Sequence, residues 1–177
     1  MKNIMSIDPS KNSIGIYVRQ EIGEEMIGTI VNDFKTERES ILNIENKLAE
    51  YLDLYNISIC LIEDYAYHMK NSKSLTILAE IKGLIKFLVL KRNIKIIYIP
   101  ISIWKSFSKI TEKKKDTKKA KNNYINQAKL NYKKDFKSTD EVDAYLMFYA
   151  VCMLKRGIIK SDSQLTLKKQ IDEYIKF

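Results

Sequence analysis

Four acidic residues, far apart in the chain, are of a type and placement that could share one chemistry. Asp8 closes an apolar run and Glu63 closes another. Asp140 and Asp143 stand three apart at the start of a helical pattern, so they share a face. Carboxylates gathered at one place repel one another unless divalent cations neutralise them, and hard oxygen donors of this kind suit Mg²⁺ or Mn²⁺. Two such ions roughly 4 Å apart can activate water on one side of a phosphate and stabilise the leaving oxygen on the other. Each acid also has a plainer reading. Asp8 before Pro9 fits a turn, Glu63 a strand end, and Asp140 the positive N-terminus of a helix. Asp143 is harder to set aside, because it opens the apolar face of Ala144, Met147, Phe148 and Val151, where an acid needs a partner. The conjunction of the four favours a metal site.

The elements that must bring these acids together follow from pattern. Residues 3–8 and 13–19 are apolar or β-branched runs separated by the turn-forming Pro9-Ser10-Lys11-Asn12, which predicts a hairpin. A third strand is expected over 25–31. Residues 37–55 carry Ile41, Ile44, Leu48, Leu52 and Tyr55 at helical spacing. The run 57–63 reads as a strand buried on both faces, 72–92 as a long helix with Leu75, Leu78, Ile81, Ile85 and Leu88 in one stripe, and 95–99 as another strand ended by Pro100. Beyond it, the sequence predicts a short helix over 101–107, a loop over 111–116 and a basic helix over 117–130. A helix over 138–156 should open on a Ser138/Glu141 capping box and stop at Gly157, and a last amphipathic helix should cover 163–175. A meander followed by strand–helix–strand crossovers gives an α/β protein with a mixed five-stranded sheet flanked by helices. The RNase H-like fold is one arrangement with that order. If Asp8 and Glu63 end neighbouring parallel strands, both carboxylates emerge at one sheet edge.

Composition narrows the class. The chain has 177 residues, 45% hydrophobic and 30% charged, which suits one globular domain. We expect a nuclease domain over 1–160 and a C-terminal helical extension over 161–177. Cys60 and Cys152 lie in apolar runs without the spacing of a zinc site or a disulfide framework, so they read as buried free thiols. No signal peptide or bilayer-spanning stretch is evident, and a cytoplasmic protein with no membrane association and no small-molecule cofactor is expected. The net charge of +9 has a definite location. Residues 105–137 hold 12 lysines against Glu112, Asp116 and Asp135, and the rest of the chain is balanced. Such a segment is a phosphate-binding surface, although a Lys-, Ile- and Asn-rich composition also produces solvated lysine stretches.

With these residues in view, the chain resembles the RuvC-type Holliday junction resolvases, in the style of those carried by phages and mobile elements. Ser6-Ile7-Asp8-Pro9-Ser10 with Gly15-Ile16 resembles the family's first motif. Ile62-Glu63-Asp64-Tyr65-Ala66-Tyr67 with Lys70-Asn71-Ser72 resembles the second, Leu78-Ala79-Glu80-Ile81-Lys82-Gly83 the helix after it, and Asp140-Glu141-Val142-Asp143-Ala144 the last. The likeness runs from Asn3 to about Lys155. It implies that Asp8, Glu63, Asp140 and Asp143 bind two Mg²⁺ (or Mn²⁺) ions, that an aromatic near Glu63 meets junction bases, and that the 72–92 helix contributes to a homodimer. Ser10 and Ala79 stand where glycine is common in the family. Lys115, Lys118 and Lys119 are candidates for the basic residue the family places near its active site, with Lys118 favoured.

Tyr65 and Tyr67 are candidates to stack on unpaired bases, and Lys70, Lys105, Lys115 and Lys119 to contact DNA phosphates. Trp104 and Phe107 read as packing anchors, and His68, the sole histidine, as a loop residue. The resulting expectation is a structure-selective endodeoxyribonuclease acting on branched DNA. Two other readings stand beside it: an RNase H-like nuclease for RNA–DNA hybrids, flaps or transposon ends, and a non-catalytic DNA-binding protein on the same scaffold.

Overall fold

The turn at residues 9–12 folds the first two apolar runs into a hairpin, β1 (Ile4–Pro9) and β2 (Ser13–Arg19), to which β3 (Glu25–Val31) adds antiparallel. These coordinates are a computed structural model describing residues 2–32, 36–64, 72–111 and 117–175. Helix α1 (Glu37–Leu54) leads to β4 (Ile59–Asp64), and α2 (Ser72–Lys91) leads to β5 (Lys95–Pro100). Four helices follow: α3 (Ile101–Phe107), α4 (Lys118–Tyr132), α5 (Thr139–Lys155) and α6 (Asp162–Tyr174). The sheet order is β3-β2-β1-β4-β5, with β4 parallel to both β1 and β5. This is the mixed five-stranded sheet that the sequence predicts. No helix among the described residues is long and apolar enough to cross a membrane.

Strand alternation decides what each face of the sheet covers. Met5, Ile7, Ile14, Ile16, Val18, Cys60 and Ile62 join one core with Ile44, Leu48 and Leu52 of α1 and Ile81, Ile85 and Leu88 of α2. Of the expected α2 stripe, Ile81, Ile85 and Leu88 are therefore core, Leu78 is buried and Leu75 is half-buried, while Phe87 and Leu90 are the exposed large apolar residues of this helix. Ile4, Tyr17, Ile59, Leu61, Ile97 and Ile99 face the other way, into a core filled by α3, α4, α5 and α6. By the same period of two, Asp8 and Glu63 lie on this second face.

Helix α5 is the centre of that second core, with 13 of its 17 residues buried. A helix apolar on all sides is covered on all sides. Ser138 caps its start by accepting from the Glu141 N–H at 3.1 Å. The reciprocal half of the expected capping box does not form. The Glu141 carboxylate instead accepts from the Lys137 N–H at 2.6 Å and from the Thr29 hydroxyl at 2.8 Å. These partners on the chain before the cap and on β3 tie the helix start to the sheet edge. At the other end Gly157 adopts φ +79°. Its N–H reaches Leu154 O and that of Ile158 reaches Met153 O, which is a Schellman stop.

The segment 161–177, expected as an extension, begins at the Ser161 cap. It sends Leu167, Ile171 and Ile175 into the α5 core, and Gln164 Nε2 donates to Ser106 Oγ at 2.8 Å. Trp104 and Phe107 of α3 are buried in the same core.

Candidate active site

The strands set the first two acids. Ile7 of β1 pairs with Ile62 of β4 in parallel register, so the next residue on each strand, Asp8 and Glu63, leaves the sheet at the same edge. Both occupy the α5 face and are 4% and 7% exposed.

Gly15 sets the other two. It pairs with Asp8 across β1 and β2 and lies beneath the first turn of α5. A Cβ placed on Gly15 would stand 2.0 Å from the carbonyl oxygen of Asp140. Only a residue without a side chain lets the helix start rest on the strand at this point. Asp140 and Asp143, 8% and 5% exposed, therefore arrive over the edge that Asp8 and Glu63 occupy.

Hydroxyl groups hold both helix carboxylates. Ser13 Oγ donates to Asp140 Oδ2, and Ser10 Oγ lies 3.3 Å from the same oxygen. Ser10 also donates to the Ser13 carbonyl at 2.6 Å, which stiffens the turn carrying both serines. Asp143 Oδ1 accepts from the Tyr124 hydroxyl of α4 at 2.6 Å. Burial, then the charge of Asp143 and its hydrogen bond, then the charge of Asp8, push the Tyr124 phenol far above its ordinary range. It is thus a permanent hydrogen-bond donor.

The donor set suits a hard divalent cation: four carboxylates from three elements, all largely withdrawn from solvent. The side chains are not closed around a point, however. Among the described residues no three Asp, Glu, His or Cys side chains stand close enough to hold one ion. Placement of the acids at one edge and the chemistry of their oxygens fit a metal centre, whereas the present rotamers direct Asp140 toward Ser13 and Asp143 toward Tyr124.

A groove of about 640 Å³ opens beside Asp140, lined by Ser10 and Ser13, by Lys118, Lys121 and Asn122 of α4, and by Lys137. Lys118 therefore shares a cleft with Asp140, the one of the four acids that lines it. Lys119 is exposed on the same helix outside that lining. Lys105 is exposed on α3, its Nζ 5.3 Å from the centre of the Trp104 ring, and does not line the groove. Tyr65, Tyr67, Lys70, His68 and Lys115 lie outside the described residues.

Sequence reasoning missed the roles of Ser13, Gly15 and Tyr124. A signal existed for each of them. Ser13, Gly15 and Tyr17 alternate along one strand, which places them on one face. Tyr124, Ala128 and Tyr132 recur at i, i+4 and i+8 on α4, which marks a buried stripe in a helix otherwise conspicuous for its charge.

Comparison with known proteins agrees with this geometry. Residues 4–153 match the family described as crossover junction endodeoxyribonuclease RuvC. No curated protein sequence gives a match. The fold is shared with the solved structure of Thermus thermophilus RuvC in complex with Holliday junction substrate, at TM-score 0.67 and 11% identity, over 89% of this chain and 97% of that one. A second structure of Thermus thermophilus RuvC aligns at TM-score 0.61 and 12% identity, over 88% and 96%. Likeness at this identity establishes the RNase H-like fold.

Proposed function

Since the chain belongs to the RuvC family of crossover junction endodeoxyribonucleases, a family of metal-dependent, junction-resolving nucleases, we propose that Asp8, Glu63, Asp140 and Asp143 carry the reaction on four-way DNA. The observation that supports this assignment above the others is the double seating of the acids. Asp8 and Glu63 sit at the matched ends of parallel strands, and Asp140 and Asp143 are brought over them by the contact of α5 with Gly15.

In this reading Asp8, Glu63, Asp140 and Asp143 would together hold two Mg²⁺ (or Mn²⁺) ions, Asp8 contributing to both sites, Glu63 to one, and Asp140 with Asp143 to the other. When bound, the ions supply an activated water and a stabilised leaving oxygen, giving a 5′-phosphate and a 3′-hydroxyl. The chain's own residues do the rest. Like charges at one edge spread apart on their own, so the carboxylates gather only where cations offset the repulsion. Ser13 and Ser10 restrain Asp140, and Lys118 stands on the groove wall where it can meet a phosphate oxygen. Lys121 and Lys137 extend that positive wall along a DNA backbone. Cutting two strands of a junction symmetrically takes two such sites, hence a homodimer, for which the exposed Phe87 and Leu90 of α2 offer apolar contact.

The test compares cleavage of a four-way junction, an RNA–DNA hybrid and a plain duplex in Mg²⁺ and in Mn²⁺. Cleavage restricted to the junction, abolished in Asp143→Asn while junction binding persists, is the expected result. Preferred cutting of the hybrid, or full activity of Asp143→Asn, would sink the assignment.

A further inference from the structure

Tyr124 lies on the inner face of α4, 6% exposed, in line with Ala128 and Tyr132. The adjacent face of the same helix carries Lys118, Lys121 and Asn122 into the groove beside Asp140. One helix thus offers cations to the groove and a phenol to a buried acid. The hydrogen bond to Asp143 Oδ1, at 2.6 Å and away from water, is of the strong charge-assisted class. It restrains the carboxylate about its terminal torsion, which is broad and soft in the absence of directional bonds. A carboxylate has lone pairs on both oxygens, so it can accept from a phenol at one oxygen and coordinate a cation through the other. Partners of this kind, one step removed from the ion, set ligand orientation and with it metal affinity.

We propose that Tyr124 is a positioning residue of the active site, holding the Asp143 carboxylate by one oxygen so that the other is presented to a divalent ion. The inference rests on Asp143 being a metal ligand, and it makes α4 part of the metal-binding apparatus as well as a DNA-facing helix. Its consequence is specific: loss of one hydroxyl group, with the ring retained, weakens ion binding before it weakens anything else.

The test is Tyr124→Phe beside a control from the same helix. Tyr132 is also buried, and its hydroxyl accepts from the Lys109 N–H at 2.8 Å, away from the acids. Mn²⁺ is titrated into the DNA-free protein by calorimetry, and single-turnover junction cleavage is measured across Mg²⁺ concentrations. Tyr124→Phe should weaken Mn²⁺ binding and raise the half-saturating Mg²⁺ concentration by about 10–100-fold, with cleavage recovering at high metal. Tyr132→Phe should lower thermal stability and leave metal dependence at the wild-type value. Equal metal dependence of Tyr124→Phe and wild type overturns the proposal, provided Asp143→Asn loses metal binding. If Asp143→Asn binds Mn²⁺ normally, the ligand assignment itself falls. The unsubstituted protein gives an independent reading through ring-labelled tyrosine NMR. The Tyr124 resonance should move in step with Mg²⁺ binding, and indifference to Mg²⁺ overturns the proposal without any variant.

Discussion

The missing side chain of Gly15 is what allows the Asp140 carbonyl to sit on β2: a methyl group there would come within 2.0 Å of that oxygen. The obstructing atoms are backbone, belonging to Asp140 and Glu141, so no side-chain rotation relieves the clash. Gly15→Ala should lift the first turn of α5 from the sheet. Overpacking of this kind costs at least about 1–3 kcal/mol, visible as a lowered Tm. Junction cleavage should fall by more than the stability loss accounts for, because Asp140 and Asp143 move with the helix. A variant with wild-type cleavage would show that the seating of α5 does not govern the acids.

Ser13 makes a prediction of opposite character. Ser13→Ala removes a hydroxyl from Asp140 without disturbing the backbone. A hydrogen bond to a charged group contributes about 1.5–3 kcal/mol, and a ligand left unoriented typically costs about 10–100-fold in activity or metal affinity. Cleavage should drop in that range while the circular dichroism spectrum stays unchanged. Ser10→Gly, which installs the residue common in the family, should have a smaller effect, because Ser10 Oγ lies farther from Asp140, at 3.3 Å, and donates at 2.6 Å to the Ser13 carbonyl.

The lysines of the groove should separate by role. Lys118→Ala should depress the cleavage rate at saturating DNA, as expected of a cation beside the scissile phosphate. Lys121→Ala and Lys137→Ala should instead weaken junction affinity, each flattening the plot of log K against log salt by about one unit. Binding isotherms at several salt concentrations, paired with single-turnover rates, distinguish the two classes. Identical behaviour of all three variants would remove the special role given to Lys118.

The thiols should be inert in the native protein. Burial raises the Cys60 thiol far above its ordinary value, and burial, offset in part by Arg156 and Arg19, pushes Cys152 up to about 11. The thiolate is the reactive form, and both groups hold their protons near neutral pH. Alkylation at pH 8 should therefore be slow for Cys152 and absent for Cys60 until denaturant is added, as mass spectrometry of labelled protein would show. Rapid native labelling of Cys60 would contradict its place between the sheet and α1.

The parts of the molecule legible from sequence are those written in local period. Alternation and turn residues mark β1, β2 and β3, and continuous apolar runs mark β4 and β5. The four acids stand out because each ends or begins an apolar segment, where charge is unexpected. Contacts made between distant segments left weaker marks. Nothing local announces that Gly15 faces Asp140, 125 positions away. The spacing of Ser138 and Glu141 predicts a closed capping box, yet the Thr29 hydroxyl and Lys137 N–H compete for the Glu141 carboxylate, and a partner on β3 cannot be read from a helix start. Tyr124 was obscured by its neighbours, since five lysines between 113 and 119 dominate the character of that stretch. Its aromatic stripe becomes visible only when the face opposite the charge is considered.

The near-total enclosure of α5 also restricts how such a protein can diverge. One turn of this helix bears two acids and the remaining turns anchor both the sheet and the last helix. A single inserted residue would rotate everything beyond it by about 100° and advance it by 1.5 Å, detaching the acids from their register with β1 and β4. Lineages can thus rewrite the exposed lysines of α4 without disturbing the core, while the acids stay tied to the hydrophobic interior that α5 anchors. Chemistry here is inherited along with the core, and novelty is left to the surface.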